Sequence, residues 1–325
     1  MSIVPDNGRL GLLFLGGAKR VAVGRMFEHA CRERGLGCEI TGYELDRHCP
    51  LAAIGDVVEG LRWSDPAIFD TFDQVTDAYG IDIVIPFVDP AVGIAARYAA
   101  MNHYGHEIFS PVSSHELATR MFDKCAAADL FEQLGLPIPA THRPGELFRP
   151  LIAKPRYGSA SKGLVFIDSP KKLREVETMT DRYLIQERID NRSEITVDCY
   201  VGVHDGCIYA VSPRVRLEVS GGESVRTLTV DDPEAVDLAC HTLEATGLRG
   251  AVTVQLIRDL DSGRLMVMEI NPRLGGGVVA SVHAGADIPA LIIGDALGEE
   301  LSHLTPQPGV LVTRYLDDVV FYPEN

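Results

Sequence analysis

Between residues 10 and 87 short apolar runs alternate with amphipathic stretches, and no other feature restricts the fold as strongly. LGLLFLG (10–16) and CEITGYEL (38–45) bracket 21-VAVGRMFEHACRERG-35, whose apolar residues recur at helical spacing before a glycine suited to a helix C-terminus. A second such stretch, 66-PAIFDTFDQVTDAYG-80, leads into the β-branched run 81-IDIVIPF-87. Units of this kind predict a parallel sheet with helices on its faces and strands buried on both sides. Gly16-Gly17 after the first run reads as a tight strand-to-helix turn. A dinucleotide-phosphate turn is the competing reading, and GGAKRVAVG lacks the GxGxxG spacing it needs.

The pattern changes near residue 110. The segment 113-SSHELATRMFDKCAAADLFEQLG-135 opens with a capping box of Ser113 and Glu116 and carries Leu117, Met121, Phe122, Cys125, Phe131 and Leu134 at helical spacing, so one helix is expected before Gly135 and Pro137. Beyond the loop 142-HRPGE-146 come longer alternating runs: LIAKP (151–155), LVFID (164–168), YLIQERI (183–189), EITVDCYVG (194–202) and CIYAVSP (207–213). The hairpin 252-VTVQLIRDLDSGRLMVMEINPRLGGG-277 completes the series. This predicts an α+β region with antiparallel sheets after the α/β domain of residues 1–110.

Thirty basic against 46 acidic residues give a formal charge of −16, which would repel a nucleic-acid backbone or an anionic membrane surface. No apolar run approaches the length of a membrane span, and the first apolar run has no basic segment before it, so no signal peptide is expected. The seven cysteines form no CxxC pair and no Cys/His ligand spacing. They fit buried thiols in a reducing cytoplasm rather than a zinc site or disulfides.

The polar residues of the hairpin carry the first chemical signal. Gln255 interrupts one run, while Glu269, Asn271 and Arg273 alternate along the other and should share a face. A carboxylate with two carboxamides and no His or Cys suits a hard cation such as Mg²⁺, which completes its shell with water and substrate phosphates. A polar outer face of an antiparallel strand would give the same spacing.

In 151-LIAKPRYGSASKGLVFI-167, Lys154 ends a strand before a loop of small residues containing Ser159, Ser161 and Lys162. Backbone N–H groups in such a loop can cradle phosphates, as a plain hairpin tip also could without a ligand. Gln186-Glu187 and Glu194 could accept hydrogen bonds from an adenine amino group and ribose hydroxyls, or be solvated turn charges. Arg214 and Arg216 share a strand face before Gly221-Gly222 and could hold a carboxylate or the γ-phosphate, or mark a charged edge strand. His283 reads as packed or capping, and His241 belongs to no constellation.

Taken in order, Lys124, Lys154 with its glycine loop, Glu187 and Glu194, then Gln255, Glu269 and Asn271 in VQL…VMEINPR resemble the ATP-grasp superfamily. The carbamoyl phosphate synthetase large-subunit type and its single-module relatives are the nearest in pattern. The resemblance covers about residues 110–300, including 274-LGGGVVASVHAGADIP-289. It implies an ATP-grasp fold of two α+β subdomains, residues 111–190 and 191–325, behind a Rossmann-like domain in residues 1–110.

The resemblance further implies that Lys124 and Lys154 bind ATP phosphates, with Lys154 also near the adenine. Glu187 and the backbone at Arg188 and Ile189 would read the adenine, and Glu194 would hold the ribose. Gln255, Glu269 and Asn271 would hold one or two Mg²⁺ ions, or Mn²⁺, with Glu269 bridging. Arg273 would contact the transferred phosphoryl group or the acylphosphate, and Gly276 would lie where the acceptor enters. GSASKG is less glycine-rich than the family's loop, and QERIDN leaves Gln186 and Glu187 as alternatives at the hinge.

The implied activity is carboxylate–amine ligation through an acylphosphate, by a cytoplasmic enzyme acting on small molecules, amino acids foremost, as a monomer or homodimer. Carbamoyl phosphate chemistry on bicarbonate, a nicotinamide-dependent oxidoreductase using the N-terminal sheet, and a non-catalytic ATP sensor are the alternatives.

Overall fold

The computed structural model describes residues 3–4, 8–101, 107–158, 162–179, 181–221 and 223–322. Strand β1 (Arg9–Leu15), helix α1 (Val21–Arg32), strands β2 (Gly37–Glu44) and β3 (Asp56–Glu59), helix α2 (Ile68–Tyr79), strand β4 (Ile83–Pro86) and helix α3 (Asp89–Ala99) form the first part. The strands pair in parallel in the order β3-β2-β1-β4, as the alternation predicts. Along β1, Leu10, Leu12 and Phe14 enter the core shared with α1, whereas Leu13 and Leu15 enter the core shared with α2 and α3. Period-two alternation with both sets apolar is what burial on two faces requires. Helix α2 stops at Gly80, whose φ of 61° gives the left-handed cap.

The Gly16-Gly17 turn faces inward. Burial pushes the pKa of the Glu44 carboxyl, at the end of β2, up to about 7, although the nearby Ala18 and Gly17 N–H groups act to lower it. A side chain of the fold thus stands where a dinucleotide phosphate would be held.

The single helix expected over 113–135 is divided into α4 (His115–Phe122) and α5 (Lys124–Gln133). The break is at Asp123, which is extended and accepts hydrogen bonds from the Cys125 and Ala126 N–H groups, capping α5. Its carboxylate also receives Arg156 Nε at 2.8 Å and Tyr157 Oη at 3.1 Å. The cap of α4 is Ser114 rather than Ser113. Ser113 instead pins the backbone of Arg249, donating to its carbonyl and accepting from its N–H.

Strands β5 (Leu151–Pro155), β6 (Val165–Ile167) and β7 (Tyr183–Glu187) follow, with helix α6 (Pro170–Glu177) between the last two. They form a small antiparallel sheet ordered β6-β5-β7. The remaining elements are β8 (Arg192–Val201), β9 (Ile208–Ser220), β10 (Glu223–Thr229), α7 (Pro233–Thr246), β11 (Gly250–Asp259), β12 (Leu265–Asn271), α8 (Val278–His283), α9 (Ile288–Leu297) and β13 (Leu311–Thr313). Their strands make a second antiparallel sheet, β12-β11-β8-β9-β10-β13.

One face of the larger sheet buries Val197, Cys199, Val252, Val254 and Leu256 with α5 and α7. The other face is polar and opens toward the small sheet. Helix α9 crosses back to α1, where Ile288, Leu291 and Ile292 join the core of the parallel sheet. Among the described residues no helix is long and apolar enough to cross a membrane.

Because Asp123 caps α5 and ties it to Arg156, Asp123→Ala should destabilise the protein by about 1–2 kcal/mol, the usual cost of losing a cap. A fall in the urea midpoint at constant m-value measures it.

Candidate nucleotide and ligation site

Strand pairing arranges the polar residues in rows. Glu269 lies opposite Gln255, Gln255 opposite Thr196, and Thr196 opposite Arg214, so one row crosses β12, β11, β8 and β9. The neighbouring row runs Asn271, Thr253, Asp198 and Ser212. Side chains in these rows share the face opposite the apolar core because the strand period is two. A bulge skips Met268 in the β11–β12 pairing, and both Met268 and Glu269 line the cleft.

The rows floor a cleft of about 460 Å³ between the two antiparallel sheets and the first domain. At one end it is apolar, lined by Ile152, Leu164, Ile189, Ile257 and Met268. A slot of this kind fits a planar base. Simple alternation could have exposed it in the sequence, since Ile152 stands two residues before Lys154 and Ile257 two after Gln255.

Lys154 sits at the middle of the cleft, its Nζ donating to Gln186 Oε1 at 2.9 Å. Burial lowers the Lys154 pKa to about 8, opposed mainly by the Glu269 carboxylate. Lys124 donates to the Gly158 carbonyl, and both line the cleft with Lys162. Ser159 and Ser161 lie outside the described residues.

Of the two hinge alternatives, Gln186 is the buried one, held between Lys154 and the Pro139 carbonyl. Glu187 accepts from the Ala140 N–H at 2.9 Å and pairs bidentately with Arg264 at 3.0 Å. Although burial opposes it, these partners hold its carboxyl below the usual range. The Arg188 N–H is taken by the Pro150 carbonyl and its guanidinium by Asp168 and Asp190, while the Ile189 carbonyl accepts from Arg192. Glu194 receives Arg216 at 2.6 Å and Arg192 at 3.3 Å.

Gln255, Glu269 and Asn271 hold no side-chain hydrogen bond among the described residues, so their oxygens are open to the cleft. No group of three His, Cys, Asp or Glu side chains with metal-binding placement occurs among those residues. One carboxylate and two carboxamides beside a lysine nevertheless fit Mg²⁺, whose remaining positions are normally filled by water and phosphate oxygens.

At the other end, Arg214 is buried in a bidentate pair with Asp198, at 2.6 and 3.1 Å, and β9 is an interior strand rather than an edge. Asp198 also accepts from Ser281 Oγ at 2.7 Å and Thr253 Oγ1 at 3.4 Å. A Cβ on Gly277 would stand 2.5 Å from Arg214 Nη1, and one on Gly275 would stand 2.9 Å from Asp198 Oδ1. Glycines there let the loop lie directly on the ion pair.

Arg273 reaches the first domain, donating from Nε to Asp89 Oδ1 at 2.6 Å. Arg20, from the loop after Gly16-Gly17, joins Glu223 at 3.2 Å, and Arg314 joins the same carboxylate at 3.0 Å while also donating to the Gly276 carbonyl. Arg20, Asp89, Glu223 and Arg314 were not foreseen. They come from four separate segments, and no local spacing links them.

Known proteins resemble parts of this chain in sequence and most of it in fold. A family model described as ATP-grasp in the biosynthetic pathway with Ter operon matches residues 179–319. The N-terminal section of the carbamoyl phosphate synthase large chain from Methanopyrus kandleri is 24% identical over 177 residues, covering 50% of this chain and 31% of that protein. The chain therefore spans about a third of that relative's length.

Among solved structures, a biotin carboxylase–nucleotide complex from Campylobacter jejuni superposes with a TM-score of 0.71 at 17% identity, over 91% of this chain and 73% of that one. An L-amino acid ligase from Bacillus licheniformis gives 0.67 at 19% identity, over 90% and 75%. At these identities the likeness is one of fold.

The lowered pKa of Lys154 has a testable sign. A polyphosphate favours the charged ammonium, so ATP affinity should be full below pH 8 and weaken as pH rises through about 8. Lys154→Arg should flatten that profile, because a guanidinium stays charged throughout. Nucleotide titrations between pH 6.5 and 9.5 would show it; parallel profiles for the two proteins would refute the phosphate role.

Proposed function

Since the chain carries an ATP-grasp domain, we propose that it is an ATP-dependent carboxylate–amine ligase. The observation that carries the proposal is the row of open oxygens on Gln255 and Glu269, with Asn271 beside it, facing Lys154 below an apolar base slot. Adenine would enter the slot, with the hinge of residues 186–189 at its edge and Glu194 near the ribose. Lys124, Lys154 and Lys162 would neutralise the phosphates. Mg²⁺, for which Mn²⁺ could substitute, would be held by Gln255, Glu269 and Asn271 and would draw charge from phosphate oxygens.

In the first step a substrate carboxylate oxygen attacks the γ-phosphorus, the bond to the β-phosphate oxygen breaks, and ADP leaves. An amine then attacks the acylphosphate carbonyl, loses a proton, and expels phosphate to give the amide. Phosphoryl transfer of this kind asks for positioning and charge neutralisation rather than a protein nucleophile. Arg273, fixed by Asp89, offers its remaining guanidinium edge to the transferred group.

ADP release over pairs of small carboxylates and amines, with mass spectrometry of the product, tests the proposal. Release should require both partners and yield an amide. Carbamoyl phosphate formed from bicarbonate and ammonia would replace this reading with the carbamoyl phosphate one, and ATP binding without any turnover would replace it with a sensor. Glu269→Ala should lower turnover by about 10²–10³-fold and leave the melting temperature nearly unchanged, since that side chain holds no hydrogen bond among the described residues. Undiminished substrate-dependent ADP release in the variant would sink the metal-site assignment.

A further inference from the structure

The end of the cleft beyond Arg273 is unlike the rest in its charge pairing. Arg214 with Asp198 and Arg273 with Asp89 are close one-to-one pairs, each with a contact of 2.6 Å. Glu223 instead faces two guanidiniums: Arg20 at 3.2 and 3.5 Å from one side and Arg314 at 3.0 Å from the other. Among the described residues, four guanidiniums (Arg20, Arg214, Arg273, Arg314) therefore meet three carboxylates (Asp89, Asp198, Glu223) at this end.

Arg20 is also loosely held. Its two contacts are long beside the 2.6 Å contacts of Arg214 and Arg273, although a charge-assisted pair prefers about 2.7–2.9 Å. Burial lowers the Arg20 pKa; Glu223 opposes this, and Arg314 and Arg273 add repulsion. Three guanidiniums thus feel one another around a single carboxylate. The wall opposite them is Gly276, where a Cβ would stand 3.2 Å from Glu223 Oε2 and 3.7 Å from Arg20 Nη1. Gly276 brings no side chain there, and its carbonyl accepts from Arg314.

We propose that Arg20 and Arg314 recognise a second anionic group on the carboxylate substrate, so that the acid activated here is dianionic. A terminal carboxylate or phosphate would seat on the two guanidiniums while the reacting carboxylate lies beside Arg273. Planar guanidinium forks match both anions, and Glu223 keeps the forks aligned when no substrate is present. The inference rests on the ligase reading for which carboxylate reacts, but its binding component is independent of turnover.

The test is equilibrium titration of the full chain, saturated with ADP and Mg²⁺, with linear dicarboxylates of four to six carbons, 3-phosphonopropionate, and butyrate as the monoanion. At least one dianion should bind about tenfold more tightly than butyrate, as two charge-assisted contacts would provide. The dicarboxylate and phosphonate arms identify which anion is preferred. Arg20→Gln and Arg314→Gln should each erase most of the difference while leaving ADP affinity unchanged.

Glu223→Gln should do the reverse and tighten dianion binding severalfold, because the guanidiniums lose their resident counter-ion. That gain distinguishes recognition from a structural role. Equal binding of butyrate and every dianion would overturn the proposal, as would arginine variants that keep the difference, or weaker dianion binding by Glu223→Gln. If dianions bind as expected yet no amine supports ADP release, the ligase reading fails and the anion site stands. If amide formation proceeds without dianion preference, the anion site fails alone.

Discussion

The buried pair of Asp198 and Arg214 is the contact on which the cleft depends. It joins β8 to β9, takes Ser281 from α8 and Thr253 from β11 into the same network, and supports the glycine loop that lies on it. Two charges in so dry a place are costly unless each is fully matched, and removing one partner of such a pair typically costs about 3–5 kcal/mol. The matching is close to complete here: Asp198 accepts from Arg214 and Ser281 with the Thr253 hydroxyl 3.4 Å away, and Arg214 meets it with two nitrogens. The Thr253 hydroxyl donates to the Arg273 carbonyl at 2.9 Å, so the network passes directly into the strand end that carries Arg273.

Above this base, the site is divided between two sheets. Glu269, Gln255 and Asn271 are fixed by strand register, whereas Lys154 belongs to the small sheet on the far side of the cleft. Their separation on two sheets explains why a lysine can be buried beside a carboxylate without a direct bond between them. Burial in the cleft lowers the lysine pKa, and the Glu269 carboxylate across the gap offsets this only in part.

Much of this could be read from the chain. The parallel sheet followed from runs such as IDIVIPF, and the antiparallel strands from alternation. Gln255, Glu269 and Asn271 stood out because polar residues interrupted apolar runs. What escaped was long-range. The division of the helix at Asp123 depends on Arg156 and Tyr157, some 33 residues away. Helical periodicity within 113–135 does not register such a tertiary anchor. For Arg214 the spacing left open an anion-binding role or a charged edge strand, and the pairing of β10 with β9 makes β9 interior. Arg20 and Arg314 meet Glu223 from opposite ends of the chain, and only the folded arrangement brings them together.

The Arg273–Asp89 contact gives the N-terminal domain a meaning beyond support. The Arg273 guanidinium is oriented by a carboxylate on α3, and α9 completes the core around α1. The rows on the larger sheet are set by its own strand pairing, whereas Arg273 takes its orientation from a residue outside that sheet. The two regions are thus not interchangeable cassettes: a foreign N-terminal domain grafted onto this one would have to supply a carboxylate in the position of Asp89 before the composite site could close.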